Sequence, residues 1–174
     1  MKKIFFLFAA IGLTALTGCE GPEGPQGAPG TNVEAAVFEL NNVSFNFDGG
    51  YYISGDYPSN LNVLDSDVVL IYRLSDLIDS QTPIWQQIPT TMEFDNGYVN
   101  YDFDFSRIDY QIYLYGSVPN LEPDYADGQT FRIVVVPGYF TNKGNTLDYS
   151  DYNAVVKAYN VDESNVKQLT PSKK

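Results

Sequence analysis

The sequence predicts an all-β protein: a single antiparallel β-sandwich of immunoglobulin-like architecture, with no disulfide and one short C-terminal helix. Three observations carry this. From Tyr98 to Phe105, Val99, Tyr101, Phe103 and Phe105 fall on one face and Tyr98, Asn100, Asp102 and Asp104 on the other, the period of a half-buried strand. Two runs, Val68–Leu74 and Phe131–Val136, are almost continuously apolar and rich in β-branched residues, as in strands covered on both faces. Gly, Pro, Asn and Asp punctuate the chain at short intervals, which suits successive short strands in one sandwich. Cys19 is the single cysteine, so the immunoglobulin-like label is architectural and excludes an inter-sheet disulfide.

The elements follow in order. Val33–Phe47 supplies one or two strands, with a bend at Asn41-Asn42. Asp48-Gly49-Gly50 is a turn signal, and Tyr51–Asp56 is the strand after it. Val68–Leu74 is central. Gln86–Pro89 is short and bounded by proline, the profile of an edge strand. Asp95-Asn96-Gly97 is a tight-turn signal that joins Met92–Asp95 and Tyr98–Phe105 in a hairpin. Tyr110–Val118 alternates more weakly, and Pro137-Gly138 ends the central run Phe131–Val136. Tyr149, Tyr152, Val155, Val156 and Tyr159 recur at helical spacing. Asp148 is placed to cap that helix, with Asp151 in its first turn and Lys157 in its last. Val166–Leu169 is a candidate last strand, and Pro171–Lys174 reads as a disordered polar tail.

Composition narrows the function. The chain has 174 residues, 22 acidic against 10 basic, a net charge of −12 and no histidine. A surface of that sign repels phosphate backbones, so no nucleic-acid partner is expected. The absence of histidine removes every Ser-His-Asp or Cys-His arrangement and the commonest metal ligand. Hydrolysis by two carboxylates stays open in principle, but no pair stands out among so many acidic residues. No catalytic residue and no cofactor are assigned.

The amino-terminal part has its own logic. Lys2 and Lys3 precede an apolar stretch, Ile4–Leu16, and small residues then lead to Cys19. That is the layout of an export signal over residues 1–18, and the stretch is shorter than the roughly 20 residues that span a bilayer. Leu16-Thr17-Gly18-Cys19 resembles the lipobox of bacterial lipoproteins. The resemblance implies cleavage after Gly18, acylation of Cys19 and a lipid anchor in a membrane. Gly21, Gly24, Gly27 and Gly30 then recur every third residue with interleaved prolines, a collagen-like period. Residues 19–32 thus form a tether that rises about 3.1 Å per residue when extended. Four triplets are too few for an autonomous triple helix, so a monomer is expected rather than a trimer. The glycines follow no strand, and the prolines forbid a helix start, so they are not a dinucleotide-binding loop. Residues 33–170 form the β-sandwich domain and 171–174 the tail.

The leader, the lipobox, the glycine-triplet stub and the β-domain together resemble the collagen-like lipoproteins of Bacteroidetes type. Val68-Val69-Leu70-Ile71-Tyr72-Arg73, Trp85-Gln86-Gln87-Ile88-Pro89 and Phe131-Arg132-Ile133-Val134-Val135-Val136-Pro137 are similar to that group. The resemblance implies an outer-membrane lipoprotein. In that group acidic residues soon after the acylated cysteine mark surface export, so the resemblance, with Glu20 and Glu23 after Cys19, implies the cell surface over the periplasmic face. It carries across no catalytic residue and no activity.

Candidate contacts lie in the β-domain. If Ile112 and Leu114 face the core, Tyr113 and Tyr115 line the outer face of their strand. Tyr139 and Phe140 follow Pro137-Gly138 in a loop. Exposed aromatic groups of this kind suit a protein or glycan partner. Trp85, the lone tryptophan, is expected in the sandwich core, with sugar stacking as the other option. Aspartates pair at Asp65/Asp67, Asp102/Asp104, Asp124/Asp127 and Asp148/Asp151. Asp124-Tyr125-Ala126-Asp127-Gly128 is the nearest approach to a calcium loop, but it lacks the alternating ligands of an EF-hand, and turn and cap chemistry explains the pairs better. The expected function is non-catalytic binding at the cell envelope, with a structural or assembly role as the alternative.

Overall fold

A computed structural model describes residues 35–46, 50–118, 123–138 and 147–172. The chain divides into two units, Met1–Asn32 and Val33–Lys174, and every described residue belongs to the second. Cys19, Gly18, the glycine triplets, Tyr139, Phe140 and the last two lysines lie outside the described residues.

Among the described residues, nine strands form two sheets. They are β1 (Ala36–Val43), β2 (Tyr52–Asp56), β3 (Val68–Asp79), β4 (Thr82–Ile88), β5 (Thr90–Phe94), β6 (Gly97–Phe105), β7 (Asp109–Gly116), β8 (Gln129–Val136) and β9 (Lys167–Gln168). Sheet A has the order β4-β3-β8-β1-β9 and sheet B the order β2-β7-β6-β5. All neighbours are antiparallel except β1 and β9, which run parallel. A one-turn helix, α1 (Pro123–Ala126), precedes β8, and α2 (Tyr152–Tyr159) precedes β9.

The all-β expectation holds, and the apolar patterns explain the layering. Phe38, Leu40, Val69, Ile71, Phe131, Ile133 and Val135 of sheet A meet Ile53, Val99, Tyr101, Tyr110, Ile112 and Leu114 of sheet B in one core. The alternate residues of sheet A, Val37, Leu70, Tyr72, Val134 and Val136, form a second core with Tyr152, Val155 and Tyr159 of α2. The runs Val68–Tyr72 of β3 and Ile133–Val136 of β8 are therefore apolar on both faces, because both are covered. Each fully buried Ile, Val or Phe there contributes about 1.5–3 kcal/mol of apolar transfer.

Local details follow from residue chemistry. The hairpin β5–β6 turns at Asp95-Asn96 and pairs Phe94 with Gly97, as its turn signal required. Asn42 takes a left-handed φ of 52°, and the β1–β8 register shifts between Leu40 and Val43. The Asn41-Asn42 bend is thus a bulge within one strand. Strand β4 lies at an edge of sheet A but begins at Thr82, earlier than the proline-bounded piece at its end. Pro89 then carries the chain from β4 in sheet A to β5 in sheet B.

Four expectations are corrected. The cap of α2 is Asp151, whose side chain accepts from the Ala154 amide; Asp148 instead closes the preceding turn by accepting from Ser150. The last strand runs parallel to β1, so the sandwich is not wholly antiparallel. The tail is held at Ser172: its amide donates to the Ser54 carbonyl at 2.8 Å, and the Ser54 hydroxyl donates to the Ser172 carbonyl at 3.0 Å. Trp85 sits outside the sandwich core, half-buried against the second one, because its position on β4 points to the helix side of sheet A.

Candidate functional site

The two sheets differ in what covers their outer faces. On sheet A, α2 is clamped down by Arg132 of β8. Its guanidinium donates to Glu39 at 2.7 and 3.1 Å, to the Tyr152 hydroxyl at 2.8 Å and to Glu163 at 2.8 Å. It also lies 4.2 Å from the centroid of the Trp85 ring. Trp85 is thereby committed to a structural stack, and a cation over an indole face adds about 0.5–2 kcal/mol.

Sheet B carries no such layer among the described residues. Ile112 and Leu114 are buried and Tyr113 and Tyr115 face outward, as their alternation predicted. The registers Tyr52↔Tyr113, Tyr113↔Asp102, Tyr115↔Asn100 and Tyr98↔Glu93 place Tyr52 and Tyr98 on the same face. Four tyrosines, Tyr52, Tyr98, Tyr113 and Tyr115, thus stand among Glu93, Asn100, Asp102 and Asp104. Tyr115 is 46% exposed and Tyr98 40%.

The tyrosines and carboxylates are coupled. The Tyr113 hydroxyl donates to Asp104 in a short hydrogen bond, and the Tyr115 hydroxyl donates to Asp102 at 3.4 Å. The bond to Asp104, with lesser contributions from desolvation and the nearby carboxylate charges, pushes the Tyr113 phenol up to about 12. Tyr115 is also raised, by desolvation first and by Asp102 second. Asn100 donates to Thr91 at 2.6 Å, while its side-chain oxygen has no partner among the described residues.

Tyr52 and Tyr98 were not singled out by sequence. The signal for Tyr98 was present, since alternation put it beside Asn100 and Asp102. Tyr52 needed the β2–β7 register, which single-strand periodicity does not contain. The structure brings Tyr113 and Tyr115 together; Tyr139 and Phe140 fall outside the described residues.

A second concavity lies at one end of the sandwich. The β2–β3 loop and the β6–β7 turn enclose an open groove of about 830 Å³, lined by Asn62, Leu64, Asp65, Phe105, Arg107 and Ile108 among others. Phe105 was expected on the buried face; by register it points inward, but at the mouth of this groove it is exposed. Arg107 stands 3.7 Å from Asp65, both mostly in solvent, an arrangement worth about 0–1 kcal/mol. Asp67 accepts from the Leu64 and Gly138 amides and so holds its loop.

The remaining aspartates do local work. Gln129 donates to the carbonyls of Asp124 and Asp127, which fixes the α1 turn. Among the described residues, no group of three or more His, Cys, Asp or Glu side chains is placed to hold a metal. Among them too, no helix is long and apolar enough to cross a membrane.

A third feature is a ribbon. Strand β3 pairs with β8 only over Val68–Arg73; from Leu74 to Asp79 it pairs with β4 alone. This two-stranded extension exposes Leu77, Ile78 and Ile84, with Ile78 at 72%.

Searches against protein-family models, curated proteins and solved structures find no match for this chain.

Proposed function

We propose that the protein is a non-catalytic lipoprotein, anchored through acylated Cys19 in the outer membrane, that presents its β-sandwich at the cell surface to bind a protein or glycan. The observation that carries the binding part is the uncovered tyrosine face of sheet B. A tyrosine offers a large, rigid contact area at low entropic cost, and exposed aromatic clusters recur at recognition surfaces. The anchoring part rests on Leu16-Thr17-Gly18-Cys19 and the leader before it. Three acyl chains would give lasting attachment, where one gives only marginal binding.

The test of the anchor is labelling with a clickable fatty acid in the native host. Labelled protein in the membrane fraction, lost in Cys19→Ser, is expected; an unlabelled wild-type chain ends this part of the proposal. Protease treatment of intact cells then reports the side, and removal of the domain is the expected result. For the binding part, Tyr113→Ala/Tyr115→Ala is expected to abolish capture of envelope proteins or glycans while the domain still shows a cooperative unfolding transition.

The exposed ribbon favours a second reading, a structural or assembly component of the envelope. Apolar residues at the tip of a two-stranded extension invite self-association. Sedimentation of the full chain distinguishes the two. A monomer supports the first reading, and an oligomer dissolved by Leu77→Ser/Ile78→Ser supports the second. Carboxylate-dependent hydrolysis gains no support: in the groove Asp67 is engaged with the Leu64 and Gly138 amides while Asp65 stands in solvent, and Asp102 and Asp104 stand on an open sheet face.

A further inference from the structure

Sheet B has a peculiar charge count. Its four strands contain Asp56, Glu93, Asp102, Asp104 and Asp109 and not one lysine or arginine. The registers Asp56↔Asp109, Asp104↔Gln111, Asp102↔Tyr113 and Glu93↔Tyr98 place all five carboxylates on the outer face, interleaved with the four tyrosines. The described basic side chains lie elsewhere. Arg73 is directed to Gln129 and the Tyr101 ring, Arg132 to the helix layer, and Arg107 to the end groove. Lys157 and Lys167 belong to α2 and β9.

We infer that this face binds a cationic protein segment, one presenting several lysine or arginine side chains, and the inference rests on the proposal that the face is a binding surface. Three properties select this partner over a neutral glycan. The face is rich in acceptors: the carboxylate oxygens of Glu93, Asp102 and Asp104 call for donors. Its charge is of one sign, so it steers and holds the opposite sign. Its rings are tyrosines, whose faces attract ammonium and guanidinium groups. A neutral sugar would use the rings and some acceptors but would not answer the carboxylate charge of Glu93, Asp102 and Asp104.

Titration calorimetry with the full chain tests this, using octalysine and octaarginine as cationic probes and cellohexaose as a neutral one. Both peptides are expected to bind in low salt, weakening as ionic strength rises. Asp102→Asn/Asp104→Asn is expected to weaken them about tenfold and Tyr115→Ala about threefold. Asp124→Asn/Asp127→Asn, an equal charge change at the α1 turn, is expected to alter affinity less than about twofold. Glu93→Gln provides a second carboxylate change on the face should the double variant lose its unfolding transition. Equal weakening by the α1 pair overturns the inference, because the peptides would then be reading net charge alone. Binding of cellohexaose that is lost in Tyr115→Ala, with no peptide binding, also overturns it but leaves the face as a binding surface. If no face variant alters the binding of any probe, both the inference and the binding face fall.

Discussion

Replacing Arg132 by methionine tests how the helix layer is held. The side chain is only 12% exposed and its main partner Glu39 13%, so the substitution strands a carboxylate in a nearly dry site. Breaking a buried pair from one side costs about 3–5 kcal/mol. The partly exposed Glu163, 46% accessible, adds at most about 1 kcal/mol, and the Trp85 stack adds a comparable amount. A loss of about 5 kcal/mol follows, which lowers a urea midpoint by about 2.5 M for a slope near 2 kcal/mol per molar. Trp85 lies under the guanidinium, so its fluorescence reports the transition directly. Arg132→Lys keeps the charge but loses the planar donors, and is expected to fall between. Arg132→Met/Glu39→Leu removes both charges and is expected to recover most of the loss. A cost below about 1 kcal/mol for Arg132→Met, or a double variant no better than the single, would refute the claim that this ion pair is buried and mutually dependent.

Two further outcomes follow from other features. Burial raises the Tyr72 and Tyr152 phenols, with Tyr152 reaching about 12, and the Asp104 hydrogen bond does the same for Tyr113. Folding thus favours the neutral phenols, whose contribution is complete below about pH 10 and disappears as pH climbs through the raised values. A phenolate absorbance titration is expected to show tyrosines that ionise only as the fold opens, and uniform ionisation near pH 10 in an intact fold would contradict this. Gly138→Ala would place a Cβ 1.9 Å from the Ser66 carbonyl oxygen. The obstacle is backbone, so a loss of about 1–3 kcal/mol is expected in thermal unfolding, and an unchanged midpoint would show that the β2–β3 loop yields freely.

Strand identity was legible because side-chain alternation is local. Val99 and Tyr101 could be assigned to the core from the alternation around them, and the two central strands announced themselves by apolar runs broken only by Arg73 and Arg132. What periodicity omits is the partner. Trp85 was expected in the main core, since an indole is usually found there, but strand parity directed it to the helix side. Phe105 shares the parity of Val99 yet lies at an open end, and no local pattern marks where a sandwich stops. Asp148 and Asp151 are both plausible caps three residues apart, and backbone hydrogen bonding decides between them. The site was half visible for the same reason. Tyr113 and Tyr115 lie on one strand, whereas Tyr52 joins them only through pairing, as do the five carboxylates drawn from four strands.

The closing residues of the domain have a mechanical consequence. At one flank Pro89 stitches the sheets covalently. At the other, Leu169 donates to Glu39 beside β1, and Ser172 is bonded to Ser54 on β2, so a six-residue hem covers two strand borders at once. Cutting the chain before Lys167 would bare both borders side by side, where hydrogen-bonding groups invite pairing with other chains. Affinity handles or reporter fusions therefore belong beyond Ser172, since a graft inside the hem would open both borders to clumping.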